Sequence, residues 1–436
     1  MSRAFVFRYS MILVGLLVIP RISSALEPSK STDWTQWRGP NRDNISSSKG
    51  ISTDWEKQPP VLAWKIAGMG DGYASVSISG DRLYTTGNVK NSQSVLAVNL
   101  KTHGVEWTTP LTESNPKHGY EGSRCTPTVD GDRLYVITSD GQIACLKTSN
   151  GSLAWKKNFK DEWNGRMMSG WGYSESPLVD GDRVLCTPGS AEAMIVCLDK
   201  MTGKEIWRSA VEDKGEKGQP GAGYSTMAIS EGAGVKQYVQ LIGRGLIGVR
   251  ASDGKHLWSY NEIANPTADI PTPIVHGDYV FGSTGYGGGG SALLKLTKNG
   301  EGVEAQVQYY RNAKELQNHH GGMVLLGDYL YFGHGHNNGF PVCVDMAKGD
   351  VKWGGQVRGV GSGSAAVTGV DGHVIFRYQS GDIALVEATP KEYKLKGSFK
   401  PEVQIRESWA HPVVVNGKLF LREQDTLMCY DLAPRS

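Results

Sequence analysis

The chain carries ten histidines, and four of them fall in two close pairs. Asn318-His319-His320-Gly321-Gly322 and His334-Gly335-His336-Asn337-Asn338 bring His319, His320, His334 and His336 near one another in sequence. Imidazoles either ligate a metal or move protons near neutral pH, and a shared first-row ion would need ring nitrogens at about 2.0–2.1 Å. No zinc-type motif or carboxylate at fixed spacing accompanies them, so neutral, hydrogen-bonded loop histidines are the alternative. For acid–base chemistry the candidates are Glu175, close to Trp171 and Tyr173, and Asp269, just before Pro271. Four Gly-Tyr pairs stand just before a predicted first strand of a repeat unit, Gly72-Tyr73, Gly119-Tyr120, Gly172-Tyr173 and Gly223-Tyr224. Together with Trp171, His319, His320, Trp409 and His411, the tyrosines Tyr73, Tyr120, Tyr173 and Tyr224 form a candidate stacking and hydrogen-bonding surface. The other reading of the same rings is packing of loop against strand.

These side chains need a scaffold, and a repeat supplies it. A turn of the form Gly-Asp-Arg/Tyr plus apolar residues occurs at Gly80, Gly131, Gly181, Gly277 and Gly327, with weaker copies at Gly234, Gly372 and Gly417. Successive copies are 43 to 53 residues apart. A second turn places Trp four residues after Gly at Gly151/Trp155, Gly203/Trp207, Gly254/Trp258 and Gly349/Trp353, and three after it at Gly104/Trp107. Between the turns run short alternating segments rich in Val, Leu, Ile and Tyr, the pattern of hairpin-linked antiparallel strands. Each unit therefore reads as four strands, A to D, which is one propeller blade. The last unit ends at Asp431-Leu432 without a D strand, and Val61-Leu62-Ala63-Trp64-Lys65-Ile66 stands alone before the first. Joining the two closes the ring and removes its free edges. The expected fold is all-β: an eight-bladed propeller of four-stranded antiparallel blades, closed by an N-terminal strand. Seven blades plus an irregular unit is the alternative, because the fifth unit lacks its Trp and the seventh has only Phe399 nearby.

Propeller topology sorts the loops by face. D-to-A and B-to-C loops share one face and the shorter turns share the other, so Tyr73, Tyr120, Tyr173, Tyr224, His118, both histidine pairs, His411, Glu175 and Asp269 belong to the long-loop face, where ligands gather around the axis.

At Ala144–Trp155 and Val196–Trp207 the chain resembles the tryptophan-docking repeat of quinoprotein-dehydrogenase-like propellers, the pyrroloquinoline-quinone (PQQ)-like repeat proteins. The resemblance covers essentially all of the expected mature chain, and Trp34-Thr35-Gln36-Trp37-Arg38-Gly39-Pro40-Asn41-Arg42-Asp43 looks like the preface of exported bacterial members. It implies one of two roles. One branch holds PQQ with calcium on the axis and oxidises alcohols, polyvinyl alcohol included; the other, similar to the scaffold lipoprotein of the outer-membrane β-barrel assembly machine, binds proteins. The dehydrogenases often place two adjacent cysteines over the quinone, and this chain has no Cys-Cys pair. A binding scaffold for a protein or small molecule at the long-loop face is therefore the first expectation, and a PQQ-dependent alcohol dehydrogenase the second. Whether Trp34 and Trp37 plug the channel or pack on its rim stays open.

Four of the six cysteines, Cys145, Cys197, Cys343 and Cys429, occupy the same place in strand C, where other units have Ala97 or Gly248. One per blade, they stand too far apart for disulfides and read as small core residues; Cys186 and Cys197 are the pair that could meet. The run Gly285–Gly290 lacks the Gly-Lys-Ser/Thr ending of a phosphate loop and reads as a B-to-C loop.

The 56 glycines, about 13% where about 7% is usual, fit a chain of many turns. Arg3 and Arg8 precede an apolar run from Met11 to Pro20, and Ser23-Ser24-Ala25 resembles a cleavage site. Residues 1–25 are expected to be a signal peptide, 26–58 an N-terminal extension and 59–436 the propeller; an uncleaved anchor is the other reading of the apolar run. Cleavage leaves Leu26, not a lipid-bearing cysteine, because the first Cys is Cys125. The expected product is a periplasmic or secreted monomer without a membrane span. Removing Arg3, Arg8 and Arg21 leaves 43 of the 46 basic residues against 44 acids, a balance without the basic footprint of a nucleic-acid binder.

Overall fold

A computed structural model describes Met1 and residues 33–212 and 215–435; the expected signal peptide lies outside the described residues apart from Met1. The described chain is built of eight sheets. The first runs Ser77–Ser79, Arg82–Val89, Ser92–Asn99 and Gly104–Pro110, each strand antiparallel to the next. Blades two to seven repeat that A-B-C-D order, beginning at Thr128, Leu178, Ala228, Ile274, Asn318 and Ala365. Blade eight has Val413–Val415, Lys418–Glu423 and Thr426–Asp431, and its outer strand is Val61–Ala67, running antiparallel from Val61 opposite Asp431 to Ala67 opposite Thr426. The eight-blade architecture and its N-terminal closure stand as expected.

The cysteine positions have a packing cause. Trp155 lies opposite Cys145, Trp207 opposite Cys197, Trp353 opposite Cys343 and Trp64 opposite Cys429, while Trp107 faces Ala97 and Trp258 faces Gly248. A register shift beside each pair seats the indole over its small partner. At Gly248 a Cβ would come within 2.2 Å of Nε1 of Trp258. All six cysteines are buried free thiols, Cys186 and Cys197 included.

The indoles then dock on the next blade. Trp107 Nε1 donates to Thr148 O at 3.2 Å and Trp155 Nε1 to Lys200 O at 3.0 Å. The glycine of the neighbouring turn leaves room: a Cβ on Gly151 would approach Trp107 to 2.4 Å, one on Gly203 Trp155 to 2.7 Å. In the fifth blade Tyr309 replaces the missing Trp, its hydroxyl donating to Met346 O at 2.7 Å beside Gly349. In the seventh, Phe399 packs 5.7 Å from Trp55, which precedes the closing strand, and 5.0 Å from Tyr430. Both irregular units are thus complete blades with different fillers.

The strand-A edges face the axis, and the N-terminal segment from Trp34 to Ser46 runs against all eight. Trp34 bridges Ile78 of blade one, and Val129 of blade two donates to Thr35 O at 2.7 Å. Arg42 donates to Pro177 O and Met227 O of blades three and four, Trp37 Nε1 to Thr272 Oγ1 of blade five and Arg38 Nη2 to Met323 O of blade six. Ile45–Ser46 pairs parallel with blade seven, and Ser46 Oγ donates to Val414 O of blade eight. The segment can turn so tightly because Arg38, Gly39, Arg42 and Asn44 all have positive φ, and Asn44 N closes back on Arg38 O at 2.8 Å. This settles the open question of Trp34 and Trp37 in favour of a plug. No helix among the described residues is long and apolar enough to cross a membrane.

Candidate functional site

Above the plug lies a cavity of about 380 Å³. Its walls come from the D-to-A and B-to-C loops, and Trp37 and Arg38 of the plug complete it. Every blade contributes: Tyr73 from the first, Tyr120 and Arg124 from the second, Trp171, Ser174 and Ser176 from the third, Tyr224 from the fourth. Ile270 and Tyr286 follow from the fifth, His319, His320 and His336 from the sixth, Gln379 from the seventh, Trp409 and His411 from the eighth.

The rings form a continuous aromatic surface. Trp409 lies 4.8 Å from each of Tyr73, Tyr120 and His320; His320 is 4.2 Å from His319, and His319 is 4.5 Å from Tyr286 and 4.4 Å from His336. On the floor Trp37 packs 4.5 Å from His411. Tyr224 is held by Ser169 Oγ at 2.7 Å, which in turn donates to Thr267 O.

Eight of the nine expected ligand-contacting residues line the cavity; Tyr173 does not. Its hydroxyl donates to Pro188 O at 2.8 Å and its ring meets Phe159 edge-on at 5.0 Å, so it wedges loop against blade. Neither acid expected as a base reaches the cavity. Ser174 and Ser176 face it and Glu175, between them, points the other way; Ala268 and Ile270 do the same around Asp269. Glu175 accepts from Thr187 N at 2.7 Å, Thr187 Oγ1 at 2.9 Å and Gln240 Nε2 at 3.0 Å. Burial, opposed by these donors, pushes its carboxyl up to about 8. Asp269 accepts from Asn265 Nδ2 at 2.7 Å, and burial raises its carboxyl well above the ordinary range.

The four-histidine metal set is not assembled. His334 turns away to the Gln317 backbone, its Nδ1 3.1 Å from Gln317 N. His319, His320 and His336 lie ring against ring, and Nδ1 of His319 meets Ser364 Oγ. Among the described residues no group of three or more metal-ligating side chains converges. Burial keeps these imidazoles neutral, with His320 and His411 pushed down to about 3.

Sequence reasoning missed Arg38, Arg124, Tyr286 and Gln379, and left Trp37 open between plug and rim. Arg124 follows Tyr120 by four residues and ties its loop together, donating to Tyr120 O and Trp171 O at 2.7 Å and Gly119 O at 2.8 Å. Tyr286 sat inside the glycine run as its one large residue, a usable signal. Arg38 stood in the preface motif, which the sequence left open between the axis and the rim.

Fold and cavity together define a PQQ-like β-propeller with its plugged axial site on the long-loop face. The PQQ_2 family, described as outer membrane protein assembly factor BamB, matches residues 91–355, and the chain belongs to that family. It is 26% identical to the outer membrane protein assembly factor BamB of Nitrosomonas eutropha over 194 residues, 44% of this chain and 41% of the relative. To the BamB of Shewanella oneidensis it is 21% identical over 237 residues, 54% of each chain. The matches thus span about half the length of these curated relatives. Among solved structures, BamB from Moraxella catarrhalis superposes with a TM-score of 0.61 at 12% identity, covering 86% of this chain and 99% of that one. Quinohemoprotein alcohol dehydrogenase from Comamonas testosteroni gives 0.64 at 12% identity, covering 93% and 81%. Likeness at that identity carries the fold alone.

Proposed function

We propose that this chain is an exported binding propeller that recognises a protein or small-molecule ligand through its long-loop face. In this reading residues 1–25 are removed on export, residues 26–58 supply the plug, and residues 59–436 form the ring of a periplasmic or secreted monomer. The assembly-factor relatives support a binding role. The observation that carries the reading is the lining of the cavity: aromatic rings, neutral imidazoles and two guanidinium groups, without a carboxylate.

That lining also tests the dehydrogenase alternative. A calcium ion takes 6–8 oxygen ligands, carboxylates prominent among them, and Glu175 and Asp269 are turned behind the wall. The residues present do not fit a calcium–quinone pair. The experiment is to incubate the purified protein with PQQ and calcium, desalt it, and follow quinone absorbance and alcohol-dependent dye reduction. No dye reduction is expected; retained quinone with turnover overturns the binding-only reading.

A further inference from the structure

Arg38 is 2% exposed, lines the cavity, and has its Nη1 without a hydrogen-bond partner. Its other nitrogens are committed to backbone carbonyls, Nε to Arg42 O at 3.0 Å and Nη2 to Met323 O at 2.7 Å and Asp43 O at 3.3 Å. No carboxylate bonds it: Asp43 Oδ1 accepts instead from Ile45 N. A buried cation held only by neutral carbonyls is costly and is strongly stabilised by an anion. Burial, opposed by the nearby charge of Asp43, lowers the guanidinium to about 10, which leaves it charged at neutral pH.

The surroundings repeat the bias. Arg124, lowered by burial to about 10, is the second cation of the lining, and its guanidinium sits 5.7 Å over the Tyr73 ring. His319, His320, His336 and His411 are all held neutral, adding donors and no charge. Nε2 of His319 and Nδ1 of His411 are, like Arg38 Nη1, without partners. Gly322, at φ +69°, keeps the floor open: a Cβ there would lie 3.1 Å from Arg38 Nη1 and 3.0 Å from His411 Cε1. The cavity is therefore positive at its floor and aromatic along its walls, with no acid in its lining; Asp43, behind the plug, offsets part of the Arg38 charge without bonding it.

We propose that the cavity is an anion-selective site, taking a flat, largely apolar ring that carries one carboxylate, sulfate or phosphate group, with that group paired to Arg38 on the plug and the ring stacked among Trp37, Trp409, His320 and Tyr286. This rests on the binding reading above and names its ligand class. The plug thus supplies the specificity group, and the blades supply the walls.

The test uses the whole mature protein and titration calorimetry with benzoate, phenyl sulfate and phenyl phosphate against benzamide, a neutral ring of similar size. At least one anion is expected to bind about tenfold or more tightly than benzamide, the margin of one charged hydrogen bond in a buried site. Preference among the three identifies the head group. Equal binding of benzamide and the anions, or binding of benzamide alone, overturns anion selection while leaving a binding cavity intact; no binding by any probe also overturns it. Arg38→Gln should erase the preference and keep benzamide binding, and a folded Arg38→Gln protein that still prefers anions removes Arg38 from the proposal. Should that variant fail to fold, the wild-type comparison decides alone. Alcohol-dependent turnover in the quinone assay would sink the binding reading separately.

Discussion

Arg377 and Glu423 form an ion pair 2.9 Å apart in which both side chains are only 1% exposed. Arg377 comes from strand B of blade seven and Glu423 from strand B of blade eight, and the pair anchors the loop that brings Trp409 and His411 to the cavity. Arg377 Nη1 donates to Ala410 O at 2.7 Å, while Glu423 accepts from Ser408 Oγ at 2.6 Å and from the backbone of Ile405 and Arg406. Glu423→Ala leaves a buried, unpaired guanidinium and an untethered loop, and should cost about 3–5 kcal/mol. Urea unfolding measures it; a loss within experimental error of zero would show that the pair does not hold the loop.

Ring closure rests on Val61–Ala67. Truncation through Ile66 removes this strand along with the plug, whereas truncation through Pro59 removes the plug and keeps the strand. The longer truncation should melt at the lower temperature and lose cooperativity, because blade eight then exposes an unpaired edge. Identical calorimetric melting of the two would show that the strand contributes nothing.

The indole-over-small-residue pairing sets a size limit in strand C. Gly248→Ala places a methyl 2.2 Å from Trp258 Nε1 and should destabilise by about 1–3 kcal/mol through overpacking. Cys145→Ala, facing Trp155, keeps the small size and should cost less. Chemical denaturation of both variants checks the order, and the reverse order contradicts the pairing argument.

Glu175 makes stability fall as pH rises. Its carboxyl ionises near its ordinary 4.5 in the unfolded chain and is raised to about 8 in the fold. Between those values the native state holds the proton that the unfolded state has lost, so the stabilising contribution present below pH 4.5 is lost by pH 8. Glu175→Gln should flatten that slope in urea-unfolding free energies measured across this window. An unchanged slope would mean that Glu175 ionises normally.

His411 acts in the opposite direction. Its imidazole is pushed from the ordinary 6.5 down to about 3 by burial and by the nearby Arg38. Stability from the neutral ring is complete above pH 6.5 and drains away as pH falls towards 3, where the unfolded chain takes up the proton first. His411→Gln should lessen acid sensitivity in that range, seen as a smaller drop in melting temperature between pH 7 and pH 4.

Local patterns determined much of this molecule. Gly-Asp-Arg turns, Gly-to-Trp spacings and period-two alternation are properties of neighbouring residues, so they announced the strands, the blades and the face on which the long loops lie. The orphan strand around Trp64 announced the closure for the same reason: blade eight had a visible vacancy. The four strand-C cysteines were readable as small residues, although the indole lying opposite each was not identified. What the tertiary structure alone decided are relations between distant residues. Whether Tyr73 lines the cavity while Tyr173 packs, or whether Glu175 looks inward or behind, depends on a half-turn of backbone between residues of opposite facing, and no local pattern fixes that in an irregular loop. The same holds for Tyr309 and Trp55, which fill the wedges that a missing Trp seemed to leave open. Above all, Trp37 and Arg38 belong to the site because positive-φ turns curl their segment onto eight strand edges at once. That arrangement exists only after the ring has closed, since its partners, backbone groups of seven blades and the Thr272 hydroxyl of the fifth, come from every blade.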